Sequence, residues 1–175
     1  MNEPDASTRF AIRPAVPEDI PLLVQLVKEF AEYDEMTDEF AATEARLHEA
    51  FFGERPAAEA ILGELDGEPA GYAIYYRSFS SFQGRPGLYM DDLYVRPPYR
   101  RLGLGRVLLA HVARVAAERG AGRFEWKALV WNDPALRFSM AMGFEILEGW
   151  THYRATGDAM QRLARGEFAD DRPEK

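Results

Sequence analysis

Alternating polar and apolar residues in Arg9–Ala15 ("RFAIRPA") end at a proline and predict a first strand. The period then changes. Across Pro17–Tyr33, Ile20, Leu23, Val24, Val27 and Phe30, with Ala31, recur on one face while charges occupy the other, which predicts an amphipathic helix. A weaker helix is expected over Thr43–Phe51, with Thr43 as N-cap. Glu59–Phe79 reads as two strands around the hairpin turn Asp66-Gly67. Ser80–Gly87 is rich in turn residues and reads as loop, and Leu88–Val95 as a strand halted by Pro97-Pro98. Leu104, Val107, Leu108, Val112 and Val115 set the inner face of a long helix that Gly120 stops. Gly122–Trp131 is the next expected strand. Asp133 then caps a short helix with Pro134 in its first position and Gly143 beyond its end. Phe144–Thr156 is expected to close the sheet, and Gly157–Ala164 to form a small last helix. No repeat or low-complexity tract interrupts this order. The pattern is α/β, one domain over residues 9–165 with a mixed sheet, and residues 1–8 and 166–175 are expected to be flexible ends.

Composition narrows the chemistry. A chain of 175 residues suits a single core. The net charge of −8 disfavours nucleic-acid binding, which needs a basic surface, and favours cationic ligands by steering. Cysteine is absent, which removes disulfides, zinc-thiolate sites and an acyl-cysteine mechanism. No run approaches the ~20 apolar residues of a membrane span, and the N-terminus carries no apolar signal region, so a cytoplasmic protein without membrane partners is expected. His48, His111 and His152 show no ligand spacing, so no metal is expected.

The most informative stretch is Arg100-Arg101-Leu102-Gly103-Leu104-Gly105, between a strand and a helix. A glycine-rich turn opening a helix leaves backbone N–H groups unpaired, and the helix dipole adds partial positive charge. Arg100, Arg101 and Arg106 surround it with cations, a setting for a pyrophosphate. The third glycine of a dinucleotide fingerprint is missing, and no Gly-Lys-Ser/Thr follows as in a P-loop.

Read together, "YMDDLYVRPPYRRLGLGRVLLAHV" and "EWKALVWNDPALRFSMAMGF" resemble the two halves of a GNAT-fold N-acetyltransferase. "VKEFAEYDEM", "GYAIYY" and "EGWTHYRATGDAMQRLA" extend the resemblance to the branch that contains diamine (spermidine/spermine) and thialysine acetyltransferases, from about Phe10 to Ala164. The resemblance implies a mostly antiparallel sheet flanked by helices, acetyl-CoA as acetyl donor, and a homodimer. It places the pyrophosphate on the N–H groups of Arg101–Arg106 and the pantetheine arm beside the backbone of Leu93, Tyr94 and Val95, like an added strand. Asn132, Pro134 and Ala135 match positions near the far end of the cofactor. Tyr33, Asp34, Glu125, Trp126, Lys127 and Glu148 match positions of the acceptor pocket. The oxyanion donor falls on a backbone N–H near Leu93 or Tyr94.

Asp91 matches a position at which the family usually carries a glutamate acting as base or holding a water. The chemistry requires such a group, because an alkylammonium of pKa about 10.4 must lose a proton before it attacks. Alternation places Asp91 and Asp92 on opposite faces, so only one is expected in the cleft. The rings of Trp126 and Trp150 are more often core or interface aromatics than cation contacts.

Ser139 stands where the family carries a tyrosine that protonates the departing thiolate. Serine is too short to replace a phenol directly. A bridging water could fill the gap, another tyrosine could act, or Ser139 has no chemical role. A thiol of pKa about 8.5 already leaves well, since unprotonated release near neutral pH costs only ~2 kcal/mol. The leading expectation is acetyl transfer to a small amine such as a diamine, polyamine or lysine-like molecule. The alternatives are a cofactor-binding module without turnover and an acetyltransferase of protein lysines or N-termini.

Overall fold

The computed structural model describes residues 10–167. Both terminal stretches expected to be flexible, 1–8 and 166–175, lie wholly or largely outside them. The chain falls into two compact units, one ending at Asp133 and the other beginning at Pro134.

The first unit holds a five-stranded sheet in sequential order. Its strands are β1 (Phe10–Pro14), β2 (Glu59–Leu65), β3 (Glu68–Ser80), β4 (Arg85–Val95) and β5 (Phe124–Trp126). The first four pair antiparallel, and β5 runs parallel to β4. Asp66 and Gly67, at φ 53° and 85°, make the turn that joins β2 to β3. Helices α1 (Ile20–Tyr33) and α2 (Glu44–Phe52) pack on one face, and Leu23, Leu26, Phe51, Leu62, Tyr72 and Tyr94 form their shared core. Thr43 caps α2 by accepting from the Arg46 N–H at 3.3 Å.

Helix α3 (Leu104–Glu118) covers the other face with Leu104, Leu108, Leu109, Val112 and Ala116. It comes so close that a Cβ on Gly63 would lie 2.9 Å from Leu104 Cδ1, so any side chain there would have to push the Leu104 and Leu108 methyls aside. Helical spacing placed the long face correctly in outline, but Val107 is exposed while Leu109 and Ala116 are buried.

Several sequence expectations need correction. The stretch Ser80–Gly87 is half strand: β3 runs through Ser80 and β4 starts at Arg85, so only Ser81–Gly84 turns. Turn-prone residues mark where a hairpin can bend, and cross-strand pairing extends around them. The strand expected over Gly122–Trp131 is reduced to Phe124–Trp126, since its pairing with β4 ends at Met90↔Trp126. Helix α4 (Asp133–Ala141), which opens on the last residue of the first unit, and α5 (Gly157–Ala164) of the second form as expected. Phe144–Thr156 does not form the closing strand. Its Ile146, Leu147, Trp150 and Tyr153 are exposed, and no ladder includes it. Strand propensity acts only where an edge offers a matching register.

Candidate active site

The site is built around an irregularity in β4. Ile74 of β3 stands opposite Asp92, and Tyr75 opposite Met90, so Asp91 is the extra residue of a β-bulge. The bulge reverses which residues face which helix. Before it, Leu88 and Met90 are buried away from the α1 core; after it, Tyr94 packs into that core. Pairing with β5 also stops at Met90↔Trp126, one residue short of the bulge. From Asp91 to Val95, β4 therefore has an edge with no strand beside it. Arg96 N–H donates to Ala70 C=O on β3, so by alternation the backbone groups of Leu93 and Val95 face the open edge, and those of Tyr94 face β3.

On the α1 side this edge meets a cleft of ≈ 450 Å³ that Asp34, Met36, Phe40, Arg46, Asp91 and Asp92 help to line. The expectation that only one of the two β4 aspartates enters the cleft is thus wrong: the bulge delivers both. Asp91 is half-exposed, with Lys127 Nζ 3.7 Å from its carboxylate. Asp92 keeps some surface as a residue, but its carboxyl lies inward and accepts from Tyr72 Oη at 2.9 Å. Burial, then the negative charge of Asp91, push the Asp92 carboxyl up to about 7. Burial also raises Asp34, opposed by a hydrogen bond from Asn132 Nδ2 at 3.5 Å.

Asn132 is buried, and its Oδ1 accepts from Tyr33 Oη at 3.4 Å. The sequence placed it with the cofactor residues; here it ties Tyr33 and Asp34 together. Arg100 lies with its guanidinium carbon 4.2 Å from the centre of the Tyr33 ring, and its Nε donates to Val95 C=O at 2.8 Å. The same guanidinium is 5.6 Å from the Tyr94 ring.

Beyond Arg100 the chain makes the glycine turn. Arg101 sits at φ 64° and Gly103 at φ 108°, both left-handed, and α3 starts at Leu104. Alternating handedness of this kind points successive N–H groups into one concavity. Leu104 anchors the turn, being buried beneath it, while Arg101, Leu102 and Arg106 are exposed. The Arg106 N–H is already paired with Gly103 C=O at 3.0 Å, which leaves Arg101–Gly105 as the open N–H groups and Arg106 as a side-chain cation. Backbone donors, a helix N-terminus and exposed arginines fit the diphosphate of acetyl-CoA.

The remaining expected residues are more scattered. Glu125 pairs with Arg123 at 2.7 Å, and Trp126 is half-buried at the end of β5. In the second unit Pro134 and Glu148 are exposed, Ala135 is half-buried, and Ser139 Oγ donates to Ala135 C=O at 2.7 Å. Asp92 and Tyr72 were not singled out from the sequence. A second acid inside the apolar run "LYMDDLYV" was the available signal, since a strand buried on both faces holds an acid only where something partners it.

A model of the acetyltransferase (GNAT) family matches residues 22–144. Among curated proteins, the thialysine N-epsilon-acetyltransferase of Bos taurus is 35% identical over 164 residues, covering 87% of this chain and 96% of its own. An L-ornithine N5-acetyltransferase of Arabidopsis thaliana is 29% identical, covering 87% and 86%. Among solved structures, an integron cassette protein of V. cholerae superposes with TM-score 0.75 at 25% identity, covering 90% of this chain and 98% of its own. An aminoglycoside acetyltransferase from an uncultured soil sample gives 0.72 at 20%, covering 87% and 99%. With the family model spanning most of the chain, and relatives of this identity matching nearly end to end, the chain belongs to the acetyltransferase (GNAT) family, enzymes that take their acetyl group from acetyl-CoA.

Proposed function

We propose that the protein moves the acetyl group of acetyl-CoA directly to a primary amine of a small cationic acceptor, a diamine, polyamine or lysine-like molecule. One observation carries the choice of acceptor: three aspartates, Asp34, Asp91 and Asp92, line one cleft at the open edge of β4. With Glu39 also in the lining against Arg46, the cleft stays net acidic even when Asp92 is protonated, so it attracts an ammonium and disfavours anionic acceptors. The relatives named for thialysine and ornithine support the same reading.

In this reading the N–H groups of Arg101–Gly105, with the Arg101 and Arg106 side chains, hold the diphosphate. The Leu93 and Val95 backbone faces the pantetheine arm. Of the two oxyanion donors expected from the sequence, Leu93 is favoured, because the Tyr94 N–H is turned toward β3. Tyr33 and Asp34, joined through Asn132, orient the acceptor, and Glu125, Trp126, Lys127 and Glu148 complete the acceptor side. Pro134 and Ala135 keep the cofactor role that the sequence gives them. We further propose one catalytic domain over 9–165, a homodimer, and a cytoplasmic protein that binds neither nucleic acid nor membrane; among the described residues no helix is long and apolar enough to cross a membrane.

A thiol-release assay with acetyl-CoA and an amine panel tests the acceptor. Thialysine, ornithine and diamines should exceed uncharged-tail monoamines by roughly tenfold or more, the value of one desolvated ion pair. Equal rates across the panel, or none, would overturn the assignment. Acetyl-CoA binding by calorimetry without thiol release would favour a binding module instead.

A further inference from the structure

The cleft contains one carboxyl whose surroundings differ from those of its neighbours. Asp91 lies open to water beside the Lys127 ammonium, an arrangement suited to holding charge. Asp92 is turned inward, toward the hydroxyl of Tyr72, whose side chain is wholly buried. Both carboxyls reach the same cleft only because Asp91 is the bulge residue. A proton arriving from an ammonium held at Asp91 would thus meet a second carboxyl one residue further in.

We propose that Asp92, rather than Asp91, is the catalytic residue that takes the proton from the acceptor's ammonium, directly or through one water, with Tyr72 as its positioning residue. The inference rests on the acetyl-transfer reading above. The ammonium gives one proton to the Asp92 carboxylate and becomes a neutral amine. Its lone pair then forms the amide bond as the thioester C–S bond breaks, and its second proton leaves with the thiol. Asp92 returns its proton to solvent, so the cycle closes without another reagent.

The groups around Asp92 support this role. Tyr72 on β3 donates to the ionised form and favours it. Asp91 on β4 and Asp34 at the end of α1 disfavour the ionised form, and Lys127 beyond β5 favours it. Tyr94 follows on the same strand, and Glu39 and Arg46 line the far side of the cleft. The balance leaves Asp92 near 7, where a general base is most effective at neutral pH.

The test is the pH dependence of kcat/KM with the best amine of the panel, which reports groups of the free enzyme. The wild type should lose activity below a midpoint near 7. Tyr72→Phe removes the stabilising donor and should move that midpoint up; Asp91→Asn removes a repelling charge and should move it down. Asp92→Asn should abolish the acidic limb and lower kcat/KM by roughly 100-fold or more. An unchanged limb in Asp92→Asn, or Tyr72→Phe and Asp91→Asn shifting it the same way, overturns the proposal while leaving the acetyl-transfer reading intact. A parallel readout needs no turnover: in the free full-length chain with 13C-labelled aspartate, one carboxyl absent from Asp92→Asn should titrate near 7. If no such resonance exists, the proposal fails. If it exists but the wild type acetylates no amine, the acceptor reading and the catalytic role fail together, and Asp92 remains only an elevated carboxyl.

Discussion

The glycine turn and the aspartate cleft stand at opposite ends of the run from Asp91 to Gly105, and they work by opposite means. The turn offers backbone: N–H groups freed by left-handed residues at Arg101 and Gly103, set on the first turn of α3 and exposed to water. The cleft offers side chains: crowded carboxyls, of which Asp34 and Asp92 are withdrawn from water so that their proton affinity rises. A site made of backbone depends on conformation and tolerates changes of surface charge. A site made of buried acids depends on each neighbour's charge and tolerates little. Mutations at the two ends should therefore separate cleanly into conformational and electrostatic effects.

The largest separation is expected from Gly103→Val. At φ 108° a β-branched residue costs about 1–3 kcal/mol. If the turn relaxes to avoid that strain, its N–H groups no longer converge. Calorimetry should show CoA affinity reduced roughly tenfold or more, since 1.4 kcal/mol is a factor of ten. The titration of Asp92 should stay where it is. A shifted Asp92 midpoint in this variant would mean that the two regions are not independent.

Arg100 is the residue through which they touch, and its removal should have an intermediate effect on both. Its guanidinium covers the Tyr33 ring of the acceptor side and its Nε holds Val95 C=O at the open edge. Arg100→Ala gives up a cation–π contact of about 0.5–2 kcal/mol and a charged hydrogen bond. We expect KM to rise several-fold for both acetyl-CoA and amine, with a thermal midpoint lower by a few degrees. Lysine should not restore it, lacking the planar fork. A change confined to one substrate would place Arg100 wholly within one region.

The two regions also differ in how far the sequence discloses them. A glycine turn opening a patterned helix was readable from residue type and spacing, while its reading as a cofactor site needed the resemblance of the flanking segments. The Asp66-Gly67 hairpin was readable for the same reason. The cleft was half-readable: Tyr33, Asp34 and Asp91 were named, yet the bulge that brings Asp92 beside them has no residue signature in "LYMDDLYV". A bulge is decided by pairing with β3 across the whole strand, which no local pattern records. The missing strand at Phe144–Thr156 is the same lesson in reverse. Its apolar residues satisfy strand propensity, but propensity provides no partner edge.

Ser139 should give the smallest effect, and it tests whether the donor side needs any proton chemistry from a side chain. Its hydroxyl donates to Ala135 C=O one turn back in α4, at 2.7 Å, so its proton already has an acceptor within the helix. Delivering that proton to a leaving thiolate would first require breaking this bond, while a thiol of pKa about 8.5 departs near neutral pH at a cost of only ~2 kcal/mol. Ser139→Ala should therefore change kcat less than twofold and stability by no more than about 0.5 kcal/mol. Ser139→Tyr restores a phenol at this position and becomes informative against that baseline. A rate that rises with tyrosine while alanine is silent means that thiolate release limits turnover and no group of the chain now assists it. Silence in both places the slow step elsewhere, at the ammonium proton in the Asp92 cleft or at product release.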